Sequence, residues 1–278
     1  MTPAAHLASL TTYPLKSGRG IAHDAWPVET WGLRDDRRWM VLEADGSMVS
    51  ARKDPRLLTV TAVPHEDGLH LAAPGLPDLV VPVPRGAAYV TGEVWGAAVR
   101  GLPAGDAADA WVRGLLGRAG LRLVWCDDPG FRPVDQDFAG PGETVAYQDG
   151  FPLLLTSTAS LALVQRWVDA TTTERGEEPI PVTMGRFRPS VVVDGLDEPL
   201  VEQGWDRVRI GEVTFRMAKH CGRCVMTTYD PATLVKSKEP LRSIAAHNTI
   251  DGRIVFGVNL VPESTGTLRV GDEVTALG

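Results

Sequence analysis

Short extended runs, broken at close intervals by tight-turn residues, constrain this chain more than any other feature. Trp39 to Ala44 and Ser47 to Arg52 flank Asp45-Gly46, a pair that closes hairpins because both residues tolerate left-handed backbone. Leu57 to Val63 and Leu69 to Ala72 flank a loop that ends in Asp67-Gly68. Leu79 to Val83 is another extended run, and Pro82 and Pro84, which cannot donate to a ladder, mark it as an edge strand. Ala88 to Val99 is broken by Gly92 and Gly96. This patterning predicts an all-β first part, barrel or sandwich. One helix interrupts it, with Asp106 as N-cap, Trp111 and Leu115 on one face and Gly120 as the stop. Leu121 to Cys126 reads as a strand, and Asp127 to Gly142, rich in Asp, Pro and Gly, as the boundary or crossing loop between two parts.

The second part opens with the extended run Phe151 to Thr156, after which Ser157 or Thr158 caps a helix carrying Leu161, Val164 and Val168 on one face. Thr171 to Pro181 reads as a loop. Strands are expected at Ser190 to Val193, Val208 to Ile210, Val213 to Ala218, Ile254 to Val258 and Leu268 to Val274. The expectation is a mainly β chain with a few helices (α+β), in two parts, residues 1–126 and 127–278.

Composition narrows the partners. A formal net charge of −7 argues against nucleic acid or an anionic membrane as the main partner. The start, MTPAAHLASL, lacks the basic region and apolar stretch of a signal peptide, and no apolar run approaches the roughly 20 residues that span a bilayer. Three cysteines, Cys126, Cys221 and Cys224, do not make a disulfide framework. A cytoplasmic, reducing location is expected.

Five segments carry candidate chemistry. Lys219-His220-Cys221-Gly222-Arg223-Cys224 lacks the strand-to-helix setting of a thioredoxin motif, and Cys126, His220 and His247 are not spaced to complete a zinc site. The alternatives are buried thiols or a thiolate favoured by Lys219, His220 and Arg223, which suits a soft transition metal. Tyr13-Pro14-Leu15-Lys16-Ser17-Gly18-Arg19-Gly20 has the backbone N–H groups and charge that cradle a phosphate, though without Walker spacing. Leu33 to Met40 carries Arg34, Arg37 and Arg38, any of which can clamp an anion. Thr156-Ser157-Thr158-Ala159-Ser160 sits where a helix N-terminus meets hydroxyls, either a plain cap or an anion site. In Gly185 to Ser190, Pro189 is expected to hold Arg188 extended.

In this order these segments resemble the MOSC superfamily, in its two-part branch with an N-terminal β-barrel domain. The matching stretches are YPLKSGRG, LRDDRRWMVLEADGSMVSARKDPRL, LLLTSTASL, FRPSVVVDG, CGRCVMTTYDP, KEPL and VFGVNLVPESTGTLRVGDEV, collinear over nearly the whole chain. The resemblance implies a MOSC-type N-terminal barrel (1–126) packed on a MOSC domain (127–278), with a molybdenum–molybdopterin cofactor (Moco) between them. It implies that Cys224 ligates the metal. Lys16, Ser17, Arg37 and Arg188 would hold the pterin and its phosphate. Ser157, Thr158, Cys221, Arg223 and Asn259 would line the same pocket. Where the family often has Asn after the Arg-Pro pair, this chain has Ser190.

The family chemistry implied is two-electron reduction of N-hydroxylated compounds, with electrons from a separate flavin, haem or iron–sulfur protein. Asp230 is the nearest candidate proton donor in sequence, against the reading of an Asp-Pro turn; His220 and His247 are further candidates. Two other classes stand beside this one. The first is a sulfur or cofactor carrier using Cys224, and the second a thiol redox protein using Cys221 and Cys224.

Overall fold

The computed structural model describes residues 4–277, so the first three residues of the MTPAAHLASL start lie outside the described residues. The chain forms two compact units, each drawn from separated stretches: Met1–Thr11, Ala22–Leu33 and Phe151–Gly278 in the first, and Thr12–Ile21 and Arg34–Gly150 in the second. Its class is mainly β with three helices among the described residues: α1 (Asp106–Leu116), α2 (Thr158–Glu174) and α3 (Leu241–His247).

The first unit is organised by one long sheet. Its strands run, in spatial order, Val274–Ala276, Arg207–Ile210, Val213–Gly222, Arg253–Pro262, Leu153–Ser157, Val191–Asp194 and His6–Thr12. Leu153–Ser157 and Val191–Asp194 pair in parallel, and α2 supplies the crossover that a parallel pair needs. Both of these strands are buried without alternation from Leu153 to Leu155 and from Val191 to Val193, because both faces are covered. One cluster gathers Leu155, Val193, Phe215, Val258 and Leu260; another packs Val164 and Val168 of α2 with Phe187, Ile244 and Phe256.

A bulge decides which residues face which cluster. Strand Arg253–Pro262 pairs Val258 with His220 but Val255 with Gly222, so one strand carries an extra residue. Gly257 sits there at φ 78, where a Cβ would lie 2.6 Å from the Leu155 carbonyl oxygen, so only glycine fits. The shift sends Phe256 to the helix side and Val258 to the other cluster.

Several sequence expectations change here. The strand expected to stop at Ala218 continues through Cys221 to Gly222, carried by its pairing with Arg253–Pro262. Helix α2 runs on to Glu174 because Thr172 is buried on its inner face and its hydroxyl donates to the Val168 carbonyl. The run Leu268 to Val274 divides into Gly266–Arg269 and Val274–Ala276, with Gly271 at φ 94 in the turn between them.

The second unit holds a four-stranded sheet (Trp39–Leu42, Arg122–Trp125, Ala97–Pro103, Val90–Val94) and a three-stranded one (Thr61–His65, Gly68–Ala72, Leu79–Pro82). Leu79–Pro82 is at the edge, as its prolines require. Trp95 and Gly96, at φ 52 and 84, make the tight turn between Val90–Val94 and Ala97–Pro103. Leu57 to Thr59, expected extended, lies in a 3-10 turn, Pro55–Thr59. Asp54 caps it by accepting from the Arg56 N–H, and Pro55 has no N–H to leave unsatisfied. Helix α1 is capped by Gly105 (φ 95) and ended by Gly117 (φ 60), in place of Asp106 and Gly120; both conformations favour glycine. No helix among the described residues is long and apolar enough to cross a membrane.

Candidate functional site

In the second unit, backbone pairing draws two basic segments and the stretch around Tyr147 together. The Lys16 N–H donates to the Trp39 carbonyl (2.7 Å), the Arg37 N–H to the Tyr13 carbonyl (2.9 Å), and the Tyr147 N–H to the Arg37 carbonyl (3.1 Å). The side chains that result form a buried ionic cluster. Lys16, 5% exposed, donates from Nζ to the Tyr147 carbonyl and to Asp149, both at 2.6 Å. Burial lowers the Lys16 pKa against the opposing pull of Asp149, while Arg132 and Arg37 add to the lowering. Burial also works against the Arg37 charge, but Asp36 and Tyr13 outweigh it, so the Arg37 pKa is raised. Arg37 donates to Asp36 at 2.5 Å and stacks on the Tyr13 ring at 4.3 Å. Fully buried Asp36 also accepts from the Tyr13 N–H at 2.7 Å.

Arg132, from the loop read only as a boundary, completes this cluster. It donates to the carbonyls of Ala146 (3.2 Å), Gln148 (2.5 Å) and Asp149 (2.9 Å), and so pins the segment that faces Lys16. Gly101 makes room for the same segment: a Cβ there would sit 2.2 Å from the Tyr147 hydroxyl, which donates to the Arg100 carbonyl. Ser17, at φ 68, accepts from the Ala51 N–H through Oγ, which ties the Lys16 loop to the chain after the first hairpin. Arg38 points elsewhere, donating to the Cys126 carbonyl at 2.6 Å. Two buried cations, Lys16 and Arg132, and the half-buried Arg37 thus face one buried carboxylate and one open one, an arrangement suited to an added anion.

In the first unit, the cysteine motif lies at the end of strand Val213–Gly222, opposite the Gly257 bulge. Cys221 and Cys224 are both free and partly exposed. Arg223 donates to Cys221 Sγ at 2.9 Å and to the Phe187 carbonyl at 2.8 Å, which joins the motif to the loop bearing Arg188. Cys224 heads a 3-10 turn, Val225–Thr228, and its carbonyl accepts from both the N–H and the hydroxyl of Thr227. By contrast Cys126 is buried in the other unit's core, and burial pushes its thiol up to about 11, the state of an inert packing group.

Arg186, only 6% exposed, donates to the Thr228 carbonyl (3.4 Å) and to Asp230 (3.1 Å), and so fixes the stretch that follows Cys224. Asp230 accepts further bonds from the Ala232 and Thr233 N–H groups and the Thr233 hydroxyl. The bond from the Thr233 N–H is the main reason its pKa is lowered, with Arg186 adding to the lowering. Arg188 is at φ 57 and not extended: the chain leaves the Met184–Arg186 turn and must reverse into the strand at Val191. His220 bonds to the Gln203 carbonyl at 3.0 Å and His247 stacks on Trp167, so both rings are engaged with other partners.

The hydroxyl-rich turn is turned inward. Ser157 caps α2 by accepting from the Ser160 N–H, and the Ser157 and Ser160 hydroxyls converge on Glu202, fully buried, with Ser160 at 2.6 Å. Burial raises the Glu202 pKa despite these bonds. The start of α2 therefore already holds a carboxylate of its own chain. The Thr158 hydroxyl donates to Asp194. Asn259 lies across from Lys219 on the central strand pair, and Lys219 sits over the Phe151 ring at 5.3 Å.

Arg132, Asp149 and Arg186 were missed in the sequence. Asp149-Gly150 and Phe131-Arg132-Pro133 look like ordinary loop chemistry, and Arg186 is one of two arginines two residues apart.

Comparison with known proteins assigns the class. Residues 4–119 match the MOSC N-terminal beta barrel domain and residues 142–275 the MOSC domain. The chain belongs to the MOSC family, in the two-domain branch that pairs these modules. Within it, the chain is 34% identical to human "Mitochondrial amidoxime-reducing component 1", covering 98% of this chain and 83% of that protein. It is 34% identical to rat "Mitochondrial amidoxime reducing component 2", covering 94% and 80%. The crystal structure of the YuaD protein of Bacillus subtilis aligns over 98% of this chain and 94% of that one, at 9% identity and a TM-score of 0.38, too low to carry an argument.

Proposed function

We propose that this chain is a molybdenum-cofactor-dependent reductase of N-hydroxylated compounds, amidoximes being the named class of its relatives. The observation that carries the reading is the presence, in one chain, of a cation cluster that has three cations to two carboxylates and of a partly exposed free thiol. Lys16, Ser17 and Arg37 are assigned to the terminal phosphate, with Arg132 holding their frame. Arg188 and Asn259 are assigned to the pterin. Cys224 is the metal ligand, and Cys221 and Arg223 line its surroundings. No three His, Cys, Asp or Glu side chains cluster as a metal site among the described residues, so Cys224 would be the protein's own contribution to holding the metal.

The cofactor, when bound, supplies the two-electron chemistry that cleaves the N–O bond. The protein's part is to hold it and to keep the Cys224 thiolate in place. Arg186 and Thr227 stiffen the turn that carries this thiol, and Arg223 ties it to the Phe187 loop. Ser157 and Thr158 act on this site through the position of α2, since their hydroxyls serve Glu202 and Asp194. Electrons come from a separate flavin, haem or iron–sulfur protein; the relatives' designation as components of a reducing system supports this.

The test is metal content by mass spectrometry on wild type and Cys224→Ser, from a host competent to make the pterin. The expected result is near-stoichiometric molybdenum in wild type, lost in the variant, with amidoxime reduction lost in parallel. Wild type without molybdenum, when a control enzyme from the same host is loaded, would overturn the assignment. A persulfide on Cys224 in its place would mark the chain as a sulfur carrier.

A further inference from the structure

The two ion pairs of the cation cluster are built differently. Arg37 has a dedicated partner in Asp36, a carboxylate with no exposure that is also fixed by the Tyr13 N–H. Lys16 is more deeply hidden than Arg37, at 5% exposure against 16%, but its partner Asp149 has a side chain 65% exposed. A buried ammonium must keep an anion beside it, because an uncompensated buried charge is costly. An open carboxylate is under no such constraint, since water solvates it as soon as it turns away. The pair is therefore asymmetric: the cation is held and the anion can leave.

The surroundings separate the side chain of Asp149 from its backbone. Arg132 grips the carbonyls of Gln148 and Asp149, at 2.5 and 2.9 Å, so the main chain stays in place when the carboxylate moves. The Tyr147 carbonyl stays on Lys16 Nζ and keeps it aimed. Trp95 is near enough to Asp149 to help lower the pKa of its carboxyl. Trp95 is at the tip of a hairpin, 47% exposed, with the Arg52 guanidinium stacked on it at 3.9 Å. A released carboxylate thus retains Trp95 and a nearby cation as neighbours.

We propose that Asp149 is the exchangeable counter-anion of Lys16: a resident carboxylate that occupies the anion position and gives way to an incoming phosphate group. This rests on the reading of Lys16 as a phosphate ligand and adds how that ligand is kept ready. In the cofactor-free chain Asp149 keeps the Lys16 ammonium compensated and in register. On loading, phosphate oxygens take over the Lys16 N–H bonds and Asp149 turns to Trp95 and water. The two anions exclude one another, so the resident carboxylate weakens the site for phosphate and limits it to ligands that bring further contacts.

The probe is inorganic phosphate, titrated by calorimetry into the cofactor-free full chain. Wild type, Asp149→Asn and Lys16→Gln are compared, with thermal melts to verify folding. Removing the competing carboxylate should tighten phosphate binding by about 5- to 150-fold, the usual range of coupling between two sites. Lys16→Gln should abolish binding. Equal or weaker binding by folded Asp149→Asn would overturn the proposal and make Asp149 a fixed part of the site, as would phosphate binding that survives Lys16→Gln. If Asp149→Asn does not fold, Asp149→Ser is titrated with the same two outcomes. Molybdenum is not read in this experiment, so its result stands apart from the success or failure of the reductase assignment.

Discussion

The cation cluster of one unit and the thiol segment of the other solve opposite problems. Around Lys16, Arg37 and Arg132, the cations are held against carboxylates or carbonyls in a stiff electrostatic frame whose one open member is Asp149. Around Cys221 and Cys224, both thiols are free and partly open, and the stiffness lies behind them, in Arg186, Arg223 and the Thr227 cap. Substitutions in the first region should therefore be read mainly in stability and anion binding. In the second they should be read in chemistry with the fold intact.

The sharpest test of that contrast is the thiol itself. Cys224→Ser should lower molybdenum affinity by more than the roughly hundredfold that disturbing an outer-shell partner costs, while its melting curve overlays wild type. Cys221→Ser should keep its metal in the same assay. A Cys224 variant that unfolds would erase the distinction between the regions. Next in size is Arg132→Met, which strips three carbonyls of their donor and leaves Asp149 and Lys16 without their frame. It should cost about 3 kcal/mol in urea denaturation, the scale of breaking a buried charged contact. A loss below about 1 kcal/mol would show that the cluster is no frame.

Ser157→Ala removes the cap of α2 and a hydroxyl from Glu202, and should cost about 1 kcal/mol. Molybdenum content should not change; a drop in metal with stability preserved would place this hydroxyl on the cofactor instead. The smallest effect expected is a slope. Burial raises the Glu202 pKa above its ordinary 4.5, so the folded state binds its proton more tightly than the unfolded chain does. The associated stability is complete below pH 4.5 and is lost as pH rises through the folded-state value. Glu202→Gln should therefore gain on wild type between pH 4 and pH 7 in chemical denaturation, and parallel curves would refute the buried-acid account.

Local chemistry made much of the fold readable in advance. The Asp45-Gly46 turn, the edge strand with its prolines and the Ser157 cap all follow from what a few adjacent residues can do. The boundaries that moved were set by distant partners: Thr172 stayed helical because its inner face is packed, and Lys219 to Cys221 stayed extended because strand Arg253–Pro262 pairs with them. The site divided in the same way. Lys16, Arg37 and Cys224 stood out by residue type and by family resemblance, whereas Arg132, Asp149 and Arg186 resemble ordinary loop residues until their partners are known.

By itself the sequence determined the mainly β class, the turn positions, the family and the thiol motif, because periodicity, turn chemistry and motif order are local properties. Tertiary structure alone decided that His6–Thr12 pairs with Val191–Asp194, that Glu202 fills the head of α2, and that Lys16 meets Asp149. Those contacts join residues tens to more than a hundred positions apart. Their energies come from burial and from the compensation of charge in a low-dielectric interior, neither of which a single stretch of chain contains.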